Sequence, residues 1–333
     1  MTKAIHVENL TKYYGDLLAV DQISFAVEQG EVFGFLGPNG AGKTTTQRML
    51  TTLLEPTEGR IVIQGHDLAD DPHPVRQHMG LVPEESNVYT ELSAWTNLMF
   101  TAKLYRVPKA QRSRRAEELL RAFGLWEKRD VKVENFSRGM RRRLTIAMAI
   151  LHDPTLLFLD EPTPGLDAQS ARAIRDLVRR MNAGGTTIFL TTHHIEEANQ
   201  LCDRVAIINH GKIAAIDTPE KLKQAFQRVQ SIEVALEPAG SQSGEALGDL
   251  PGVSTHVKRG DKWRLYTESP ADLLPRVMGY AEANDLRLVS LNTLGPSLED
   301  VFLEITGQEV GSVPHRTEDE TGVGKKSKRG GRR

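Results

Sequence analysis

Eight consecutive residues, Gly37-Pro38-Asn39-Gly40-Ala41-Gly42-Lys43-Thr44, have the spacing of a phosphate-binding loop. Glycines let successive backbone N–H groups turn inward around phosphate oxygens. A helix starting near Lys43 adds its positive dipole end. Lys43 is then placed to reach the β- and γ-phosphates of a nucleoside triphosphate, and the Thr44 hydroxyl to ligate Mg2+. Thr45, next in the chain, is assigned to the same site. Farther on, Leu156-Leu157-Phe158-Leu159-Asp160-Glu161 is an apolar run ending in two carboxylates. Strand ends at one edge of a parallel sheet open onto the ligand crevice. Asp160 is there to hold Mg2+ through water, and Glu161 to accept a proton from attacking water. Alone the pair would also serve as an acidic helix cap. With a phosphate loop in the same chain, phosphoanhydride hydrolysis is the expectation.

The elements that must position these groups show in the apolar pattern. Val32-Phe33-Gly34-Phe35-Leu36 leads into the glycine loop, and residues 156–159, 187–190 and 205–208 are similar short apolar runs. Continuous apolarity, rather than alternation, marks strands covered on both faces. Helical periodicity lies between them, in Ala116, Leu119, Leu120 and Phe123, and in Ile174, Leu177, Val178 and Met181. Strands alternating with helices predict an α/β fold with a mostly parallel sheet core. From residue 97 to about 151 the helical pattern dominates, which predicts an inserted helical subdomain over about 84–151. The core resumes at residue 156 and closes near 216.

The remainder changes texture. A linking helix is predicted within 219–230, starting at Pro219. Residues 231–236 alternate like a half-exposed strand, and 253–257 with 263–267 read as a hairpin. A helix after Pro270, a strand over 286–291 and a last amphipathic helix through Leu298, Val301, Phe302 and Ile305 complete a small α+β domain at 231–307, of ferredoxin-like type. Residues 308–333, with Lys325-Lys326-Ser327-Lys328-Arg329, read as a disordered basic tail. The triplet Arg141-Arg142-Arg143 reads as a solvated helix face, and Trp95 and Trp126 as packing residues.

Bulk properties narrow the class. The chain has 333 residues, enough for two folded units, with 39% hydrophobic and 26% charged residues. A formal net charge of −2 argues against wholesale nucleic-acid binding. The single cysteine, Cys202, rules out a disulfide within the chain. No apolar run approaches the roughly 18–20 residues that span a bilayer, so a membrane role must come through a partner.

Between the two phosphate-site motifs lies Asn135-Phe136-Ser137-Arg138-Gly139-Met140, which resembles the signature motif of ABC ATPases, usually Leu-Ser-Gly-Gly-Gln. The order phosphate loop, signature, apolar-Asp-Glu, then Thr191-Thr192-His193-His194 resembles that family over roughly residues 1–218. The resemblance implies a P-loop NTPase cassette with ATP and Mg2+ as cofactors, and two cassettes pairing head to tail. Ser137, Arg138 and Gly139 of one copy would then close over ATP held by residues 37–45 of the other. Ser137 would cap a helix whose N–H groups face the γ-phosphate. Arg138 stands where the family has glycine and Met140 where it has glutamine; Arg138 either adds charge near the nucleotide or faces solvent. Pro164-Gly165-Leu166-Asp167 resembles the loop that crosses the dimer seam. His193 matches the switch histidine that contacts the γ-phosphate, with His194 the shifted alternative. Tyr14 resembles the aromatic that stacks on adenine, with Tyr13 as the alternative. Glu84, in Val82-Pro83-Glu84-Glu85, takes the place of a glutamine that touches Mg2+ and the membrane partner, and a carboxylate can ligate the ion too.

The stretch Leu291-Asn292-Thr293-Leu294-Gly295-Pro296-Ser297-Leu298-Glu299-Asp300-Val301-Phe302-Leu303-Glu304-Ile305-Thr306-Gly307 resembles the ending of drug-resistance ABC ATPases of the daunorubicin type. That implies export through a separate transmembrane permease of the ABC-2 type, at the cytoplasmic face of the membrane, by a homodimer with no specific nucleic-acid partner. The rival, a soluble ABC ATPase acting on ribosomes or DNA, is disfavoured by the single cassette and by the lack of sustained heptads between Lys43 and Ser137.

Overall fold

A computed structural model describes residues 2–225, 230–237, 245–295 and 297–306. The predicted basic tail, residues 308–333, therefore lies outside the described residues.

The central sheet has six strands in the order β10-β9-β3-β8-β7-β6. They are β3 (Val32–Leu36), β6 (Met79–Val82), β7 (Leu156–Asp160), β8 (Thr187–Thr192), β9 (Arg204–Asn209) and β10 (Lys212–Asp217). All neighbours pair in parallel except β9 with β10. Every residue of β3, β7 and β8 is buried, as continuous apolarity requires of a sheet covered on both faces.

One face is covered by a second, antiparallel sheet of β1 (Lys3–Tyr14), β2 (Leu17–Glu28), β4 (Glu58–Ile63) and β5 (His66–Asp67). The sequence reading did not identify it, although Ile23, Phe25 and Val27 alternate inward along β2. Phe25, Phe33, Phe35, Phe158 and Phe189 interlock between the sheets, with ring centroids 5.5–6.1 Å apart. Beside them run α1 (Lys43–Leu50) and the single turn α2 (His73–Arg76).

The other face carries α3 (Ala94–Leu104), α4 (Lys109–Ala122), α5 (Arg138–Ala149), α6 (Ala168–Ala183) and α7 (Ile195–Leu201). Leu98, Ala102, Ala116, Leu120 and Phe123 form the centre of the helical part, with no strand within 97–151, as predicted. Trp95 and Trp126 meet edge to face at 6.2 Å and are packing residues.

Helix α8 (Pro219–Ala225) begins where the linking helix is predicted. A third sheet follows, of β11 (Gln230–Glu237), β12 (Thr255–Arg259), β13 (Lys262–Thr267) and β14 (Arg287–Leu294), with α9 (Pro270–Ala283) against it. It is antiparallel throughout, in the order β12-β13-β11-β14, with β11 and β13 in the middle as in a ferredoxin-like sheet. Ile232, Val234, Leu265, Leu273 and Val277 form its separate core.

Helix α10 (Leu298–Thr306) does not join that core. Leu298, Val301 and Phe302 are buried in the large cluster of the first part of the chain, where α10 packs on α7, α8 and β9. Its acidic side turns to the third sheet: Glu299 bonds Arg259 at 2.6 Å and buried Asp300 bonds Arg264 at 3.0 Å. A helix with one apolar and one acidic face can serve both neighbours at once. Phe302→Ala should therefore destabilise the part of the chain that holds residues 32–217, by about 3–5 kcal/mol. Urea denaturation followed by circular dichroism checks this; a loss well below about 1 kcal/mol would detach α10 from the core.

Candidate functional site

Parallel pairing puts the carboxyl ends of β3, β7 and β8 side by side, with Leu36 opposite Thr192 and Asp160 opposite Thr191. The loop 37–42 leaves β3 and turns into α1 at Lys43. Gly42 caps this helix with φ +105°, and a Cβ there would sit 2.7 Å from the Ala19 carbonyl oxygen, so only glycine fits. Asn39 and Gly40 form the exposed tip, Pro38 is half-buried, Gly37 and Ala41 are buried, and Thr44 and Thr45 are half-buried at the helix start.

The Lys43 ammonium is buried. It donates to the carbonyls of Gly37 at 2.8 Å and Pro38 at 3.1 Å, and lies 3.5 Å from the Glu161 carboxylate. Burial lowers its pKa, against the pull of Glu161. Glu161 is 7% exposed and has φ +45°, a left-handed backbone that costs a residue with a side chain roughly 1–2 kcal/mol. Its carboxylate lies 3.0 Å from His193 Nδ1 and accepts from the His193 backbone N–H at 3.3 Å. Burial alone would raise the Glu161 pKa, but the His193 contact and the Lys43 charge hold it below the usual value. His193 is raised by the same carboxylate, against partial burial. Lys43, Glu161 and His193 thus form one chain of contacts.

His194 has no such contact. It caps the start of α7, its ring lies tilted 4.3 Å from that of His193, and its pKa is lowered by burial. Buried Glu197 accepts from the Thr192 hydroxyl at 2.8 Å and its pKa is raised by burial. It braces the loop that carries His193, and the sequence reading missed it.

Asp160 accepts from the Thr191 hydroxyl, and burial raises its pKa. A cavity of about 440 Å³ is lined by Thr44, Gln47, Pro83, Glu84 and Asp160. Gln47 Oε1 is buried there with no hydrogen-bond partner among the described residues. An orphaned amide oxygen, a hydroxyl and two carboxylates are the hard oxygen donors that Mg2+ takes. The residues therefore fit the ion.

Ser137, Arg138, Gly139 and Asp167 lie elsewhere, and among the described residues none of their hydrogen bonds or ion pairs reaches residues 37–45. Ser137 caps α5 by accepting from Met140 N at 3.2 Å. Asp167 caps α6 by accepting from Ser170 N at 2.8 Å. A Cβ on Gly139 would sit 2.5 Å from Ser170 Oγ, so glycine lets the two helix starts come together. The guanidinium of Arg138 lies beside Gly165. Ser137, Arg138 and Asp167 are exposed. Tyr14, at the end of β1, is 44% exposed with the Lys12 ammonium 5.7 Å from its ring, and Tyr13 is as exposed, so exposure does not separate them.

The arginine triplet is not a solvated face. Arg142 is 4% exposed and points inward beneath the carboxylates, while Arg141 and Arg143 are half-buried. Charge alone predicted the surface, but a guanidinium can be buried when enough acceptors surround it. Its place on the α5 face shared by Gly139 and Ile146 was the available signal.

The family profile described as ABC transporter matches residues 20–164. The daunorubicin resistance ATP-binding protein DrrA3 of Streptomyces coeruleorubidus is 38% identical over 311 residues, 92% of this chain and 96% of that protein. This chain belongs to the ABC transporter family. The linearmycin resistance ATP-binding protein LnrL of Bacillus subtilis is 36% identical, over 91% of this chain and 98% of that protein. The Nod factor export ATP-binding protein I of Cupriavidus metallidurans is 36% identical, over 93% and 99%. Among solved structures, one described as the ATP binding subunit of an ABC transporter has a TM-score of 0.62 at 33% identity, covering 67% of this chain and 93% of that one. The chain is an ABC ATPase subunit, and its fold is that of the P-loop cassette.

The paired pKa shifts give a test. Neutralising Glu161 by Glu161→Gln removes the charge that raises His193, so the His193 pKa must fall. The ion-pair contribution to stability is present between the lowered Glu161 value and the raised His193 value, and is lost as pH rises through the second or falls through the first. Histidine NMR titration of wild type and variant checks this; an unmoved His193 pKa would deny the contact.

Proposed function

We propose that this chain powers export of an unidentified substrate through a separate permease of the ABC-2 type, working as a head-to-tail homodimer on the cytoplasmic face of the membrane. The observation that carries the reading is a site in two halves. Lys43, Glu161 and His193 are assembled within one copy, whereas exposed Ser137 and Asp167, with buried Gly139 between the helix starts they cap, make no hydrogen bond or ion pair to residues 37–45 among the described residues. A second copy turned about a twofold axis supplies each half with the other. A structure described as a dimeric post-hydrolysis ATP-binding cassette bound to ADP and phosphate has a TM-score of 0.59 at 26% identity, covering 64% of this chain and 98% of that one, and supports the pairing. No helix among the described residues is long and apolar enough to cross a membrane, so the conduit belongs to another chain. The relatives' resistance and export roles support the direction.

In this reading Thr44, Asp160 and Glu84 would hold Mg2+, which would offset the negative charge of the phosphates. The adenine stacks on Tyr14. The loop 37–45 cradles the phosphates with its N–H groups, and Lys43 turns from the Gly37 and Pro38 carbonyls to the phosphate oxygens. That move takes a positive charge away from Glu161. Its proton affinity rises once substrate is bound, when a base is needed. His193 orients the water between Glu161 and the γ-phosphate. The α5 N-terminus of the partner copy, with Ser137 and Gly139, faces that phosphate from the far side.

Glu161→Gln should bind ATP and hydrolyse it about 10²–10⁴ times more slowly. Steady-state phosphate release measures this, and near-normal turnover would remove Glu161 from the role. Mixing Lys43→Ala with Ser137→Arg subunits puts both lesions in one composite site and leaves the other intact. Activity above either variant alone is expected in proven heterodimers; none would count against head-to-tail pairing.

A further inference from the structure

The Arg142 side chain has five N–H donors in a fixed fork, and all five meet backbone carbonyls. Nε donates to Pro162 O at 3.0 Å. Nη1 donates to the carbonyls of Pro83 and, at 3.1 Å, Glu84. Nη2 donates to Asp160 O at 2.7 Å and Glu161 O at 2.9 Å. Three of these acceptors are consecutive and bracket Glu161, whose φ of +45° no strand or helix geometry supports. The other two belong to the loop after β6 that carries Glu84 into the cavity with Asp160 and Thr44. The donor itself sits on α5, one and a half turns from the Ser137 cap. Burial lowers the Arg142 pKa to about 10, against the pull of Asp160, so the side chain stays charged at neutral pH.

We propose that Arg142 is a positioning residue for ATP hydrolysis. It holds the Glu161 backbone in its left-handed turn, and ties the Glu84 loop and the signature helix to that turn. It touches no nucleotide. It acts by fixing where the Glu161 carboxylate points, and by making any shift of α5 or of residues 83–84 felt at Glu161. The inference rests on the reading of Glu161 as the base.

The role depends on donor count and not on charge. Lysine keeps the charge but has three donors, so at least two of the five buried carbonyls lose their partner in Arg142→Lys. Misplacement of a reacting group by about 1 Å costs up to about 10²-fold in rate. ATPase kinetics of the full-length wild type, Arg142→Lys and Glu161→Gln, measured in parallel, decide the matter. The expectation is a kcat per folded molecule lowered by about 10- to 100-fold in Arg142→Lys, with KM for ATP near wild type and a lower melting temperature from the unpaired carbonyls. A merely structural arginine would lower the melting temperature and the folded fraction while leaving kcat per folded molecule unchanged, and that result overturns the proposal. Normal turnover in Arg142→Lys beside an inactive Glu161→Gln overturns it as well and leaves the role of Glu161 standing. An active Glu161→Gln removes the base first, and the positioning role with it. Should Arg142→Lys not fold, Arg142→Gln, which keeps a planar donor head, takes its place; if neither folds, the arginine is structural and the proposal falls.

Discussion

Three strands that end together impose the central constraint on this molecule. Because β3, β7 and β8 pair in parallel and in register, a lysine after one, a carboxylate after the second and a histidine after the third are forced into contact. Burying Lys43 or Glu161 alone would be unfavourable, and His193, on the exposed side, completes the set. Together they make a sequence of alternating charge, in which Glu161 is shared between Lys43 and His193. The surrounding architecture serves that arrangement. The phenylalanine layer between the two sheets keeps the strands rigid, and the helices on the opposite face fix the loops that leave them.

Backbone, rather than side chains, is what the supporting residues grip. Gly42 lets α1 begin against the Ala19 carbonyl, Gly139 lets α5 approach α6, and Arg142 gathers five carbonyls from two loops. Each solves the same problem: loop ends at a catalytic edge carry polar groups that no regular ladder satisfies. A site built this way transmits displacement, since a shift of α5 moves the peptide groups on both sides of Glu161.

The third sheet enters the same system from outside. Its hydrophobic core is its own, yet α10, which follows its last strand, is buried among α7, α8 and β9. Helix α7 begins directly after His193 and His194. The salt bridges of Arg259 and Arg264 with Glu299 and Asp300 therefore connect the third sheet to an element that packs on the histidine-bearing end of the core.

How much of this the sequence determined follows from the range of each interaction. The phosphate loop, the apolar strand ending in Asp160 and Glu161, the serine cap at 137 and the aspartate at 167 are local. Their local geometry follows from a few successive residues and the strand or helix that flanks them, so short stretches of sequence placed them, while the roles of residues 137 and 167 rested on the family resemblance. The strands β3, β7, β8 and β9 were legible because burial on both faces leaves an unbroken apolar run. The contact of His193 with Glu161, the docking of α10 and the inward turn of Arg142 were not legible in the same way. Each depends on which distant segments the sheet register and helix packing bring together. Arg142 shows the reason most clearly: a guanidinium is stable in water or among five carbonyls, and the three letters Arg-Arg-Arg look the same in both cases. Only the fold, by gathering those carbonyls from residues 83–84 and 160–162 around one position of α5, decided which arginine goes inside.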